Sequence, residues 1–152
     1  MWIGRSSKAV RLRADGLGVW LTANDKDKIA HWYLKPVGHI SSSCALEVPA
    51  NQFACQGLEL DYVGVCWGGD LIFDSSKGEW CCRQMGSSSW NEVKNPSKRM
   101  FHKNAYRVLL TRAREGLIIW VPEGDYDDNT RKPSELNSTA EFLATCGAEL
   151  IG

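Results

Sequence analysis

A chain of 152 residues with 43% hydrophobic and 24% charged side chains has the size and composition of one globular domain, far from disordered or collagen-like extremes. Eighteen Lys and Arg balance eighteen Asp and Glu, so any contact with nucleic acid or an anionic surface must come from a local patch. The longest apolar stretches, such as Leu117 to Pro122, are strand-length rather than the ~20 residues of a membrane span, and the basic opening lacks an apolar secretory core. No membrane is expected, and the cytoplasm is the expected compartment.

Along the chain, Gly4, Gly16 and Gly18 punctuate a weakly periodic basic opening, and Asn24 to Lys28 reads as a polar turn, so residues 1–28 stand as an N-terminal segment without assigned structure. Ile29 to Leu34 reads as a short helix stopped by Pro36. Cys44 to Val48 reads as a strand ended by Pro49, and Tyr62 to Trp67, apolar throughout and closed by Gly68-Gly69, as a buried strand. Residues 68–100 are irregular, with Gly-Gly, Ser-Ser, Lys-Gly and Asn-Pro pairs; an insertion or hairpin fits there, anchored by Trp80 and Trp90.

Asn104 to Glu115 reads as a helix with Asn104 as N-cap and Gly116 at its C-terminal end, followed by a strand from Leu117 to Val121 that Pro122 stops. Ser138 and Glu141 form a capping box that opens a last helix running to Gly147. Strands apolar on both faces that alternate with helices predict a mainly parallel sheet flanked by helices, an α/β domain over residues 29–152.

The cysteines are Cys44, Cys55, Cys66, Cys81, Cys82 and Cys146, and no C-x-x-C pair exists to bring two thiolates to one zinc. They read as reduced thiols, several of them buried, and no metal-binding set is assigned.

Two segments carry candidate chemistry. Phe53 to Asp61 is a polar loop running straight into the strand at Tyr62; Gly57 permits a tight backbone, while Gln56 and Glu59 offer an amide and a carboxylate to a ribose or to a phosphate-bound water or metal. The same residues also suit a plain solvated loop. Tyr106 to Gly116 carries Arg107, Arg112 and Arg114; on a helix Arg107 and Arg114 share a face, and Arg112 projects beside apolar Val108 and Ala113. A guanidinium held there needs an anionic partner, either an internal carboxylate or a phosphate. Lys94, Lys98, Arg99 and Lys103, with Trp90 and Phe101 nearby, form a basic stretch suited to backbone phosphates and stacked bases, or a solvated loop. Asp61, Asp70 and Asp74 read as hydrated surface groups, and His31, His39 and His102 are given no catalytic role.

Taken together, Gln56-Gly57-Leu58-Glu59 ahead of a strand and Leu110-Thr111-Arg112-Ala113-Arg114 resemble motifs V and VI of superfamily 1 DNA/RNA helicases. More narrowly, His31 to Pro36, Ser41 to Val48, Gln56 to Val65, Asn104 to Gly116 and Val121 to Asp125 resemble the Schlafen-like DNA/RNA helicase family, also called domain of unknown function 2075. The resemblance implies a second RecA-like domain of the P-loop NTPase type, which in these motors faces a P-loop-bearing domain across an ATP cleft. It implies Arg112 as arginine finger, Glu59 as the acid near the ribose, and Gln56 and Gly57 as the loop linking nucleotide to nucleic acid.

No G-x-x-x-x-G-K-[ST] occurs in the sequence, and no Asp-Glu pair follows a strand as a Walker B acid would. ATP and Mg2+ are therefore expected only in a complete two-domain enzyme, with neither held tightly by this chain alone, which is expected to be inactive as a truncated or split gene product. The implied partners are an N-terminal P-loop domain in cis or in trans, and single-stranded DNA or RNA. The rival expectation is a noncatalytic module that holds nucleic acid or protein through Lys94 to Lys103.

Overall fold

The unbroken apolar run at Val63 to Cys66 belongs to an interior strand. In the computed structural model, which describes residues 1–4, 21, 26–46 and 48–151, β1 (Trp2–Gly4), β2 (Ala50–Asn51), β3 (Leu60–Cys66) and β7 (Ala113–Trp120) form a sheet in the order β2-β1-β3-β7. Every pairing in it is parallel: Ile3 lies opposite Ala50 on one side and Val65 on the other, and Val65 opposite Ile119. A parallel sheet buries its interior strands on both faces, so Val63, Val65 and Cys66 need no polar alternation. Residues 2–4, in the stretch that composition left unassigned, thus form an inner strand.

Helix α1 (Lys26–Leu34) and the second half of α2 (Pro96–Leu110) flank this sheet. Trp32 of α1 and Leu109 of α2 join Ile3, Leu21, Ala50, Cys55, Val63 and Val65 in one apolar core. Burying side chains of this size contributes about 1.5–3 kcal/mol each. Trp32 also satisfies its indole by donating from Nε1 to the Val48 carbonyl at 3.0 Å, and Tyr106 packs its ring on Trp67, centroids 4.5 Å apart. The architecture is α/β, a mainly parallel sheet flanked by helices and compatible with a RecA-like fold.

Several sequence-derived elements are corrected. Asn24, Asp25, Gly16, Gly18 and Glu47 lie outside the described residues, but Lys26 to Lys28 already belong to α1 rather than to a turn. Cys44 to Val48 is not a strand: Ser43–Ala45 is a single 3-10 turn followed by Leu46 at φ 60. Ser42 decides this locally, because its Oγ accepts from the Cys44 amide at 3.2 Å and donates to the Lys35 carbonyl at 3.0 Å.

The helix expected over 104–115 starts eight residues earlier at Pro96, with Asn95 Oδ1 accepting from the Lys98 amide at 3.1 Å, and ends at Leu110. Ala113 to Gly116 instead pair with β3, Ala113 opposite Leu60 and Gly116 opposite Tyr62. Ladder hydrogen bonds to a neighbouring strand outweigh a helix preference worth only tenths of a kcal/mol per residue. Gly116 is therefore a strand residue, not a helix terminator: a Cβ there would stand 2.7 Å from the Tyr62 ring, which lies across it. The last helix, α3 (Pro133–Thr145), opens on Pro133 in its first turn, so Ser138 sits mid-helix and caps nothing.

The chain divides into two compact units, Met1–Trp67 with Asn104–Trp120, and Gly68–Lys103 with Val121–Gly152. In the second, the irregular stretch after Gly68 is an antiparallel meander of β4 (Leu71–Asp74), β5 (Glu79–Met85) and β6 (Trp90–Glu92). Asp74 Oδ1 closes its first turn by accepting from the Ser76 and Lys77 amides. α3 packs on β4 through Phe142, whose ring stacks on Phe73 at 3.8 Å between centroids and meets Trp80 edge-on at 5.3 Å. Thr139, fully buried, accepts from the Phe73 amide at 3.0 Å and returns its proton to the Glu135 carbonyl at 2.9 Å.

The cysteines separate by burial: Cys44 and Cys146 are exposed, while Cys55, Cys66, Cys81 and Cys82 are buried. Burial pushes the Cys55 and Cys66 thiols up to about 11 and about 12 from 9.0, because a thiolate there would lose its hydration. Iodoacetamide at pH 8 should therefore modify Cys44 and Cys146 and spare the other four until denaturant is added, which mass spectrometry of tryptic peptides reads directly. Both buried thiols have folded-state values above the unfolded one, so their contribution to stability is complete below pH 9.0 and declines as pH rises toward about 11 and about 12.

Candidate functional site

Arg112 occupies the short turn between α2 and β7, at the amino-terminal end of the sheet where β3 also begins. Its own carbonyl accepts from the Leu60 amide at 3.0 Å. Its side chain, half-buried, donates from Nε to the Val108 carbonyl at 3.2 Å and from Nη1 to the Leu58 carbonyl at 3.1 Å. Val108 is in the last turn of α2, where carbonyls lack helical partners and the dipole favours a cation. The hydroxyl of Thr111 finishes that end, donating to the Arg107 and Val108 carbonyls at 3.0 and 3.2 Å.

The other wall is the loop between β2 and β3. Asn51, buried at the end of β2, accepts through Oδ1 from the amides of Phe53 (3.0 Å) and Ala54 (2.9 Å), winding the chain into a compact turn. The Cys55 carbonyl then accepts from the Leu58 amide at 3.2 Å. Gly57 sits between them at φ +82, a left-handed conformation that strains any side-chain-bearing residue. The positive charge of Arg112 partly offsets the effect of burial on the Cys55 thiol.

Of the sequence candidates, Gly57 and Arg112 are thus brought to one place, while Gln56 and Glu59 stand exposed on the same loop. Arg112 has no carboxylate partner among the described residues, and its Nη2 bonds to none of them. Arg107 and Arg114 do not share a face. Arg107 lies on α2 and donates to Asn104 Oδ1 at 3.2 Å, whereas Arg114 lies on β7 beside Asp61 at 3.4 Å.

The basic stretch is dispersed. Lys98 and Lys103 lie five positions apart on α2 and so project roughly 140° from one another, and Arg99 pairs with Glu79 at 3.9 Å. Met100 and Phe101, not lysines alone, make up the exposed surface between them. Asp70 corrects another reading, being buried at 2% exposure rather than hydrated. What sequence reasoning missed is Asn51 and the Leu58 carbonyl. The first could be found as an Asn opening a turn, while the second is main chain and carries no sequence signal.

Residues 11–123, well over half of the chain, match the Schlafen group 3, DNA/RNA helicase domain. The chain belongs to that family. No curated protein and no solved structure matches it. The matched span of this Schlafen helicase domain contains the Asn51 turn, the Gly57 loop, the β4–β6 meander and Arg112, and it ends before α3.

Proposed function

We propose that this Schlafen group 3 helicase domain works as the second RecA-like half of an ATP-dependent DNA/RNA helicase, with Gln56 to Glu59 and Leu110 to Arg114 acting as motifs V and VI. The observation that carries this reading is the setting of Arg112. A half-buried guanidinium needs an anionic partner or polar lining, and among the described residues main-chain carbonyls supply it, leaving Nη2 for an incoming anion. The donor set fits a phosphate oxygen: a planar, permanently charged group, oriented through Nε and Nη1.

In this reading Arg112 acts as the arginine finger, stabilising charge on the phosphoryl group in transfer. Glu59, exposed at the head of β3, faces a ribose hydroxyl, and Gln56 with Gly57 relays nucleotide state toward bound nucleic acid. Magnesium and the phosphate cradle are supplied by a P-loop domain, since Walker A and B residues are not in the sequence. Closure of that domain on Arg112 completes the site.

The test is hydrolysis by the purified chain with ATP and Mg2+, alone and then mixed with the P-loop domain of a Schlafen-type helicase. No turnover alone and nucleic-acid-stimulated turnover in the mixture is the expected result. Turnover by the chain alone, or a mixture no faster than the P-loop domain by itself, overturns the proposal.

A further inference from the structure

We infer that Asn51 is the residue that positions Arg112, through the turn it holds between β2 and β3, an assignment that rests on the role proposed for Arg112 only in saying what the positioning serves. The connection is continuous in hydrogen bonds. Asn51 accepts from Phe53 and Ala54 through Oδ1, and its carbonyl accepts from the Ala54 and Cys55 amides at 3.1 and 3.2 Å. The Cys55 carbonyl accepts from the Leu58 amide at 3.2 Å, and the Leu58 carbonyl accepts from Arg112 Nη1 at 3.1 Å. The Arg112 carbonyl then accepts from the Leu60 amide, tying the far end of the same loop to the start of β7.

Asn51 is itself fixed at both sides. It is 3% exposed, its amide donates to the Leu21 carbonyl at 3.1 Å, and it pairs in register with Gly4 of β1. The Leu58 carbonyl therefore inherits its position from the sheet through a side chain that contacts neither Arg112 nor any reacting atom. An aliphatic residue at 51 fills the same volume but its side chain accepts nothing, so the Phe53 amide loses its acceptor, the Ala54 amide keeps only the residue 51 carbonyl, and the turn is without its side-chain lock.

The experiment reads Arg112 in the nucleotide-free, 15N-labelled full chain, with its side-chain signals assigned by their disappearance in Arg112→Lys. A guanidinium held by two carbonyls rotates slowly about its C–N bonds, and losing one charged hydrogen bond should speed rotation about tenfold. We expect that acceleration in Asn51→Leu, a wild-type rate in Asn51→Asp, which keeps both acceptors, and a wild-type rate in Leu136→Ala, which removes a buried side chain of the second unit. An unchanged rate in Asn51→Leu overturns the inference. Should Asn51→Leu not fold, Asn51→Ala, which likewise lacks a side-chain acceptor, is read by the same rule: faster rotation supports the assignment and an unchanged rate overturns it. Because no nucleotide is present, failure of the arginine-finger reading appears separately, as an Arg112 signal indifferent to ATP in the presence of the P-loop domain.

Discussion

Arg112→Ala is expected to lower the hydrolysis rate of the two-domain assembly by about 10³-fold or more, the range over which an arginine finger acts, or roughly 4–7 kcal/mol of barrier. The loss should fall on kcat rather than KM, because the charge an arginine finger meets develops in the transition state. Arg112→Lys should recover little. An ammonium is a point charge without a planar fork, and it cannot bond the Val108 and Leu58 carbonyls while presenting a second nitrogen forward. Arg107→Ala is the matched control, since the side chain of that exposed arginine donates to Asn104 Oδ1. Steady-state hydrolysis with saturating single-stranded nucleic acid measures all three. A drop of less than about tenfold in Arg112→Ala, where 1.4 kcal/mol is the equivalent barrier change, would exclude a finger role.

Arg83→Ala is expected to destabilise the second unit strongly. Its Nη1 donates to Glu135 Oε2 at 2.6 Å, its Nε donates to the Gly69 carbonyl at 2.9 Å, and its guanidinium lies over the Trp90 ring at 5.2 Å. The side chain is only 13% exposed, so its removal strands a partly buried carboxylate and a carbonyl at once. Breaking a buried pair from one side costs about 3–5 kcal/mol. Glu135 retains some water at 26% exposure, which argues for the lower end, about 3 kcal/mol. Thermal unfolding should show a midpoint lower by about 6–12 °C for a chain of this length. Glu135→Gln, which keeps an acceptor for Arg83, should fall less. A midpoint within about 2 °C of wild type for Arg83→Ala, the response to under 1 kcal/mol, would refute the network's importance.

Legibility varied with how local each determinant is. β3 was readable because four successive buried residues at Val63 to Cys66 leave no polar face, and α1 because Pro36 follows its last turn. The α/β class followed from alternation of such runs with helical stretches. Misreadings clustered where two local signals competed. Asn104 looks like a cap, yet Asn95 with Pro96 makes the working start of α2. Ala113 to Gly116 has helical composition, yet it lies in β7.

The candidate site divides in the same way. Gly57 and Arg112 were visible as candidate residue types in a pattern, and Gly57 takes the left-handed backbone that glycine permits. The sequence left open whether Arg112 meets a carboxylate or an anion; in the structure its guanidinium donates to the main-chain carbonyls of Val108 and Leu58. By itself the sequence determined the buried strand, the stop of the first helix and the chemistry available at each position, all of which depend on neighbours a few residues away. Only the tertiary structure decided that Ala113 to Gly116 extend and that Arg112 rests on main chain. These outcomes depend on carbonyls and amides more than 50 residues apart, as from Leu58 to Arg112, and main-chain groups are the same in every sequence until the fold assigns them partners.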